Sequence, residues 1–293
     1  MPNVRANGIS IEYDEFGDRD STPLLLIMGL GGQMVMWDES FCEQLADRGF
    51  RVIRFDNRDV GLSTKFHEEC PHPASLLADA WQGKSINPPY TLDDMAQDAA
   101  GLLGALGIPS AHVVGASMGG MIAQLLAIRH PHQVLTLTSI MSTTGNPELP
   151  QAEPSVLALL MQPVPAGREA RIESAVGAWR VIAGPGFEFD EARIRERAGL
   201  SYDRDPDPTG MARQLLAVVS AGSRKEALRS VTVPTLVIHG DADPLAPIAG
   251  GFDTAEAVPG AKMLVIEGMG HALPEGAWPR VMDAIVELAQ RAN

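Results

Sequence analysis

The sequence is poor in cysteine and in positive charge, and it has no long apolar run. Its 293 residues include two cysteines, Cys42 and Cys70, which are too few for a disulfide scaffold. Lys and Arg number 23 against 37 Asp and Glu, giving a net charge of −14. An acidic surface argues against nucleic acids and anionic membranes as partners. The first apolar run, residues 24–28, is far too short to span a membrane.

The N-terminal residues do not show the basic start and apolar core of a secretion signal, which predicts a cytoplasmic protein. Cys42 falls in a helix-like stretch and is expected to be a small core residue. Cys70 has His67 and His72 nearby, but the spacing matches no standard zinc pattern. We therefore expect no metal site and no cofactor.

What the chain does have is enough apolar sequence for one large core. Hydrophobic residues make up 45% of it, and α/β proteins of this length are often a single domain with an insertion. The composition therefore fits a globular enzyme, although it does not fix an oligomeric state.

A G-x-S-x-G pattern at residues 115–119 is the most informative local feature. Residues 111–114 before it read as a short buried strand, and residues 120–128 after it read as a helix. The pattern alone is common by chance, but a serine at a tight strand-to-helix turn is lifted clear of both elements. Ser117 is therefore predicted to be an exposed nucleophile beside the N–H groups of a helix start.

Two more polar residues follow buried strands later in the chain. An apolar segment at residues 234–239 is followed by Asp243, and another at residues 261–267 is followed by His271. In a parallel sheet the carboxyl ends of the strands lie at one edge, which is where open α/β folds place their sites. We therefore expect Ser117, Asp243 and His271 to meet there as a catalytic triad.

These motifs resemble those of the α/β-hydrolases, in which the triad occurs in the same chain order. Within that family the chain looks most similar to esterases, of the type that removes methyl esters from anthracycline polyketides. The matching stretches are residues 25–29, 52–59, 112–119, 233–238, 243–247 and 268–274, with a weaker match at 179–184 and 189–190. The resemblance implies a mostly parallel central sheet flanked by helices, with a helical cap insertion. It also implies a small-molecule substrate, a carboxylic methyl ester on a bulky, apolar ring system.

The pattern of predicted secondary structure changes near residue 141. Residues 142–223 show no convincing strand, only helical patterns separated by proline-rich breaks: 155–161, 168–182, 190–197 and 211–221. We interpret residues 1–141 and 224–293 as the core and residues 142–223 as a cap over the strand ends. The cap is expected to set substrate size without touching the chemistry.

The triad predicts ester hydrolysis through an acyl-enzyme. His271 accepts the proton of Ser117 as the hydroxyl attacks the ester carbonyl, and Asp243 holds the imidazole in the right tautomer. A serine attacks a carbonyl, whereas related dehalogenases and epoxide hydrolases carry an Asp nucleophile that displaces at carbon. Lactones, thioesters and C–C bonds next to a carbonyl share the serine mechanism, and a cofactor-free haloperoxidase or perhydrolase uses the same triad. A non-catalytic ligand receptor is the alternative from another class.

The oxyanion of the tetrahedral intermediate needs two donors. One is expected to be the backbone N–H of Met118, and the other to come from the loop after the first core strand. We favour Leu30 for the second donor, and Gly29 remains the alternative. Many relatives have His where this chain has Met28, but donation by the backbone does not depend on that side chain.

Several nearby residues have alternative interpretations. Asp241 leaves the same strand end as Asp243, but the resemblance places the acid just before the proline. His239 is expected to be a packed, hydrogen-bonded residue, and His112 a surface residue at the start of a strand. The charged loop at residues 56–63 is expected to be mainly structural, its charges pairing with one another and with the turn backbone.

Overall fold

The computed structural model describes residues 2–68, 87–160 and 162–292. Cys70 and His72 lie outside these ranges. Eight strands form one sheet in the order β1-β2-β4-β3-β5-β6-β7-β8. The strands are β1 (Asn3–Ala6), β2 (Ile9–Phe16), β3 (Thr22–Ile27), β4 (Phe50–Phe55), β5 (Ala111–Ala116), β6 (Val134–Ile140), β7 (Thr235–Gly240) and β8 (Lys262–Ile266). The described α-helices are α1 (Glu39–Ala46), α2 (Leu92–Ala105), α3 (Met118–Arg129), α4 (Pro154–Leu160), α5 (Arg168–Ile182), α6 (Glu191–Arg204), α7 (Thr209–Ser220), α8 (Lys225–Leu228), α9 (Ala249–Ala257) and α10 (Trp278–Ala289).

The sheet is antiparallel only at its N-terminal edge. β1 and β2 form a hairpin with positive φ at Asn7 and Gly8, and β2 pairs antiparallel with β4. All the remaining pairs are parallel. The carboxyl ends of β5, β7 and β8 therefore lie at the same edge, which is the arrangement that the sequence predicts.

The strands at the centre of the sheet are apolar on both faces. In β3, Leu24, Leu25, Leu26 and Ile27 are all fully buried, because helices cover the sheet on its two sides. α2 begins with a capping box in which Thr91 and Asp94 exchange hydrogen bonds. The buried strands form a packed base beneath the loops that leave the carboxyl edge of the sheet.

Between β6 and β7 the described residues form the helices α4 to α8 and no strand. α5 has the predicted bounds, but α6 extends to Arg204, well beyond the predicted end at residue 197. Gly199 looks like a helix stop in the sequence, yet it is buried inside α6. A Cβ there would lie 2.6 Å from a terminal nitrogen of Arg168, but that side chain is half exposed and can move aside, so the packing of α5 and α6 does not require this glycine.

The charges of the loop at residues 56–63 find partners outside the loop. Arg58 pairs with Asp98 of α2 at 2.6 Å, and Asp56 pairs with Arg204 of α6 at 2.8 Å. Asp56 also accepts two backbone N–H groups. The expected bonds to turn backbone are present, whereas the expectation that the loop charges pair with one another was wrong. The loop instead joins the core to the helical insertion.

His112 is the other residue whose surroundings differ from the prediction. It is buried rather than at the surface, its Nδ1 lies 2.9 Å from the Thr136 hydroxyl, and its ring packs edge-on against Phe50. β5 is an inner strand of the sheet, so even its second residue is covered.

No helix in the described part of the chain is long and apolar enough to cross a membrane.

Candidate active site

Ser117 occupies a strained turn between β5 and α3. Its backbone has φ 57° and ψ −121°, a region that L residues rarely adopt. Gly115 and Gly119 make the turn feasible, because a Cβ at Gly115 would overlap the carbonyl of Gly119, and one at Gly119 would overlap that of Ile27. The result is a half-buried hydroxyl held at the carboxyl edge of the sheet.

The structure brings together the three side chains that the sequence predicts as a triad. His271 Nε2 lies 2.9 Å from Ser117 Oγ, and His271 Nδ1 lies 2.8 Å from Asp243 Oδ2. His271 and Asp243 are each 7% exposed. The serine, imidazole and carboxylate thus form one continuous, largely buried chain of hydrogen bonds.

Asp243 is held as an anion by its surroundings. Its Oδ1 accepts the backbone N–H groups of Leu245 and Ala246 at 2.9 and 2.8 Å. Burial by itself raises the pKa of this carboxyl, but His271, His239 and the backbone donors outweigh burial and lower the pKa to about 2. Asp243 is therefore ionised at neutral pH and can orient the imidazole.

Asp241 has a different partner, although it leaves the same strand end. Its Oδ1 accepts the backbone N–H of Gly268 at 2.6 Å, in the loop that leads to His271. The two carboxylates therefore contact different parts of that loop, and only Asp243 contacts the imidazole.

Three backbone N–H groups beside the serine are candidates for an oxyanion hole. Within the described ranges, no acceptor takes the N–H of Gly29, Leu30 or Met118. A Cβ at Gly29 would lie 3.0 Å from Ser117 Cβ, so this loop packs directly against the serine. The contacts do not distinguish Gly29 from Leu30, and Leu30 stays the predicted second donor.

A cavity of about 750 Å³ lies between the sheet edge and the helical insertion. Its lining includes Ala116 and Ala272, the neighbours in sequence of Ser117 and His271. Much of the wall is apolar, including Met28, Met141, Trp179, Phe187, Phe189 and Trp278.

Across residues 2–68, 87–160 and 162–292, no three His, Cys, Asp or Glu side chains are grouped so that they could hold a metal ion.

Comparison with known proteins gives the family. A family model described as the alpha/beta hydrolase fold matches residues 22–276. This chain belongs to the α/β-hydrolase fold family. The rhodomycin D methylesterase DauP of Streptomyces sp. (strain C5) is 32% identical to it over 291 residues, which cover 92% of each chain. The rhodomycin D methylesterase DnrP of Streptomyces peucetius is 32% identical over 289 residues, covering 91% of this chain and 90% of that protein.

Solved structures of other α/β-hydrolases share the fold. A thermophilic esterase from Thermogutta terrifontis has a TM-score of 0.75 to this chain at 23% identity, covering 100% of this chain and 99% of that one. At that identity the likeness shows the fold alone. The predicted family and fold are thus confirmed, and the two methylesterases support the predicted class, a carboxylic ester hydrolase.

Sequence reasoning did not find every residue that holds the site of this α/β-hydrolase. The Ser142 hydroxyl donates to the carbonyl of Ser117 at 2.8 Å. His239 is buried, as predicted; its Nε2 is 2.7 Å from the carbonyl of Ala246 and 3.5 Å from Asp243 Oδ2. Ser142 comes soon after β6, and His239 lies near the end of β7. Their position at the carboxyl edge of the sheet was the only sign in the sequence that they could support the site.

The insertion contacts the loop that carries His271. The backbone N–H of His271 donates to the carbonyl of Ile182, the last residue of α5, at 2.6 Å. This is a hydrogen bond between two main-chain groups, so no pattern of side chains in the sequence could predict it. Whether the insertion sets substrate size without affecting the chemistry stays a prediction.

Proposed function

We propose that Ser117, His271 and Asp243 form a catalytic triad that hydrolyses carboxylic esters through an acyl-enzyme. The observation that carries the proposal is the unbroken chain of hydrogen bonds from Ser117 Oγ through the imidazole to Asp243. The strained serine turn and the ionised carboxylate support the same assignment.

In the first half of the reaction Ser117 is acylated. His271 Nε2 accepts the hydroxyl proton as Oγ forms a bond to the ester carbonyl carbon. Asp243 stabilises the imidazolium that results, since its Oδ2 faces Nδ1. The tetrahedral intermediate then collapses, the C–O bond to the alcohol breaks, and the imidazolium gives its proton to the leaving alkoxide.

Water completes the cycle by the same steps in reverse order. His271 removes a proton from a water molecule as its oxygen attacks the acyl carbon, and Ser117 leaves with the proton that the imidazole returns. The carboxylic acid departs and the serine hydroxyl is restored. We assign Met118 N–H and Leu30 N–H to the developing oxyanion in both halves, since neither has an acceptor within the described ranges, with Gly29 N–H as the alternative to Leu30.

The substrate that we propose is the methyl ester of a bulky, apolar compound. A largely apolar cavity of about 750 Å³ is large enough for several fused rings. Two relatives at 32% identity are described as methylesterases of rhodomycin D, and methanol is the smallest alcohol that such a site can release. We further propose that residues 142–223 act as the cap over this cavity. The cytoplasmic location stays a prediction.

Covalent labelling of the nucleophile tests the proposed mechanism. The protein should hydrolyse p-nitrophenyl acetate and butyrate, and an organophosphonate should add one mass label, at Ser117. Ser117→Ala should remain folded and lose roughly 10⁴-fold or more in kcat. A label on another residue, or an alanine variant with most of its activity, would contradict the assignment. Absence of turnover and of labelling would favour a ligand receptor.

A series of methyl esters tests the proposed substrate. The methyl esters of acetic, phenylacetic and naphthylacetic acids keep the leaving group and enlarge only the acyl side. Burial of each further ring stabilises the complex by about 1–2 kcal/mol, so kcat/KM should rise by roughly tenfold at each step. A fall in kcat/KM along the series would show that the cavity does not take the acyl group.

A further inference from the structure

The loop that carries His271 is bound to the turn after α5 by main-chain hydrogen bonds. The N–H of His271 donates to Ile182 O at 2.6 Å, and the N–H of Gly270 donates to Ala183 O at 2.9 Å. In the opposite direction, the N–H of Gly186 donates to Gly268 O at 2.8 Å. Residues 182–186 and residues 268–271 therefore lie side by side and exchange main-chain hydrogen bonds.

Glycines on both sides make this close approach feasible. A Cβ at Gly186 would lie 2.6 Å from Gly268 Cα and 2.8 Å from Gly268 C, far closer than such atoms pack. A Cβ at Gly184 would overlap Gly270 N, and one at Gly270 would overlap the carbonyl of Ile182. Four glycines from two distant parts of the chain thus meet backbone to backbone, and none of the four has room for a side chain.

We infer that the turn at residues 182–186 is a positioning element for His271. The inference rests on the proposed triad, since it concerns the geometry of its general base. Asp243 fixes the direction of the imidazole, but the position of the ring also depends on the His271 main chain. On the core side the loop is held by Asp241 and by the N–H of Ala242, and on the other side by the insertion.

The same turn also faces the substrate cavity. Trp179, Ala183 and Phe187 line it; Ala183 itself accepts from the N–H of Gly270, and Trp179 and Phe187 flank the turn on either side. A displacement of about 1 Å between a base and its proton donor can cost about 100-fold in rate. The turn therefore links the wall that contacts substrate to the distance between His271 Nε2 and Ser117 Oγ.

Gly186→Ala tests the inference with Gly177→Ala as its matched control. Gly186 has no positive φ, so alanine meets no backbone strain there and adds only the overlap with Gly268 and the carbonyl of Glu267. Gly177 lies in α5, the helix that precedes the turn, and a Cβ there would have no atom within 4 Å. Gly186→Ala should lower kcat and the phosphonate labelling rate of Ser117 together, by roughly tenfold or more, with KM little changed. Gly177→Ala should leave both rates unchanged.

Hydrogen exchange on the unaltered protein keeps the test independent of whether the variant folds. The amides of Gly186, Gly270 and His271 should exchange slowly and at rates that match the amides of α5. Rapid exchange at all three while α5 stays protected would overturn the inference, as would a Gly186→Ala variant that changes KM alone. A wild-type protein labelled away from Ser117 would instead contradict the proposed triad, and the exchange result would still test the contact.

Discussion

Arg213 of the insertion and Asp59 of the core form a buried ion pair through two hydrogen bonds, with lengths of 2.9 and 3.0 Å. The Tyr90 hydroxyl donates to the same carboxylate at 2.6 Å, and the backbone N–H of Phe66 donates at 2.7 Å. Burial, the hydrogen bond and the negative charge of Asp59 all raise the pKa of the Tyr90 phenol, so it stays protonated. This cluster joins the insertion to the core at a point distant in sequence from the triad.

Arg213→Met should be strongly destabilising. The variant keeps most of the aliphatic stem but leaves the Asp59 carboxylate buried without its cation, which costs about 3–5 kcal/mol of unfolding free energy. The control is Arg129→Met, because the Arg129–Asp93 pair is 60% and 51% exposed and such pairs contribute about 0–1 kcal/mol. Urea denaturation measures both. Equal losses would show that the buried pair does not hold the insertion.

The two carboxylates after β7 should separate clearly in kinetics. Asp243→Asn removes the acceptor for His271 Nδ1 and should lower kcat by about 10⁴-fold, because the imidazole loses its tautomer and orientation. Asp241→Asn keeps an oxygen that can accept from Gly268 N–H and should cost less than about tenfold. Steady-state kinetics on a p-nitrophenyl ester compares them. A loss for Asp241→Asn as large as that for Asp243→Asn would refute the assignment of the acid.

The acid side of the pH–rate profile should show one ionisation. The pKa of Asp243 is lowered to about 2, so this carboxylate stays charged above about pH 4 and contributes nothing to the fall in kcat/KM. The mechanism uses a single base, so the acid limb of kcat/KM should have a slope of one. Chelation by EDTA should leave the profile unchanged. A slope of two, or activity that EDTA removes and one metal restores, would contradict the mechanism.

His112 should make the folded protein sensitive to mild acid. Burial lowers its pKa from 6.5 to about 4, so below about pH 6.5 the unfolded chain binds a proton that the folded chain does not. Stability is therefore lost as the pH falls from about 6.5 towards 4, and the loss at pH 5 should be about 2 kcal/mol. His112→Gln keeps a polar partner for Thr136 and should remove that part of the pH dependence. Urea denaturation at pH 7 and pH 5 measures this loss in the wild type and in the variant. If the variant loses as much unfolding free energy as the wild type, groups other than His112 cause the effect.

The fold could be predicted because its signals are local. The helix at residues 168–182 has the bounds that the sequence predicts, and the strand predicted at residues 111–114 is present with two further residues, since apolar runs and turn residues mark these elements. α6 was predicted to end at residue 197 but continues through Gly199 to Arg204, because a glycine inside a helix does not have to end it. His112 was placed at the surface because its strand gave no sign of how many neighbours would cover it.

The site could be predicted as far as its side chains define it. Ser117, Asp243 and His271 each follow a strand that is readable in the sequence, and parallel strands bring such residues to one edge. The partners of the charged loop could not be predicted, because Arg204 and Arg213 reach it from far along the chain. The contact between residues 182–186 and the His271 loop could not be predicted either, because its hydrogen bonds use main-chain carbonyl and N–H groups, which nearly every residue has.

The paired glycine segments also determine how this enzyme can acquire new specificity. Helices α4 to α7 look like a removable block, yet Gly184 and Gly186 within that block fit against Gly268 and Gly270 outside it. A chimera that replaced residues 142–223 with another cap would therefore separate the two halves of one backbone contact. Point substitutions at Trp179 or Phe187 change the cavity wall and leave the contact whole. Divergence within this lineage should accordingly proceed by small steps on the wall, with the four glycines inherited together.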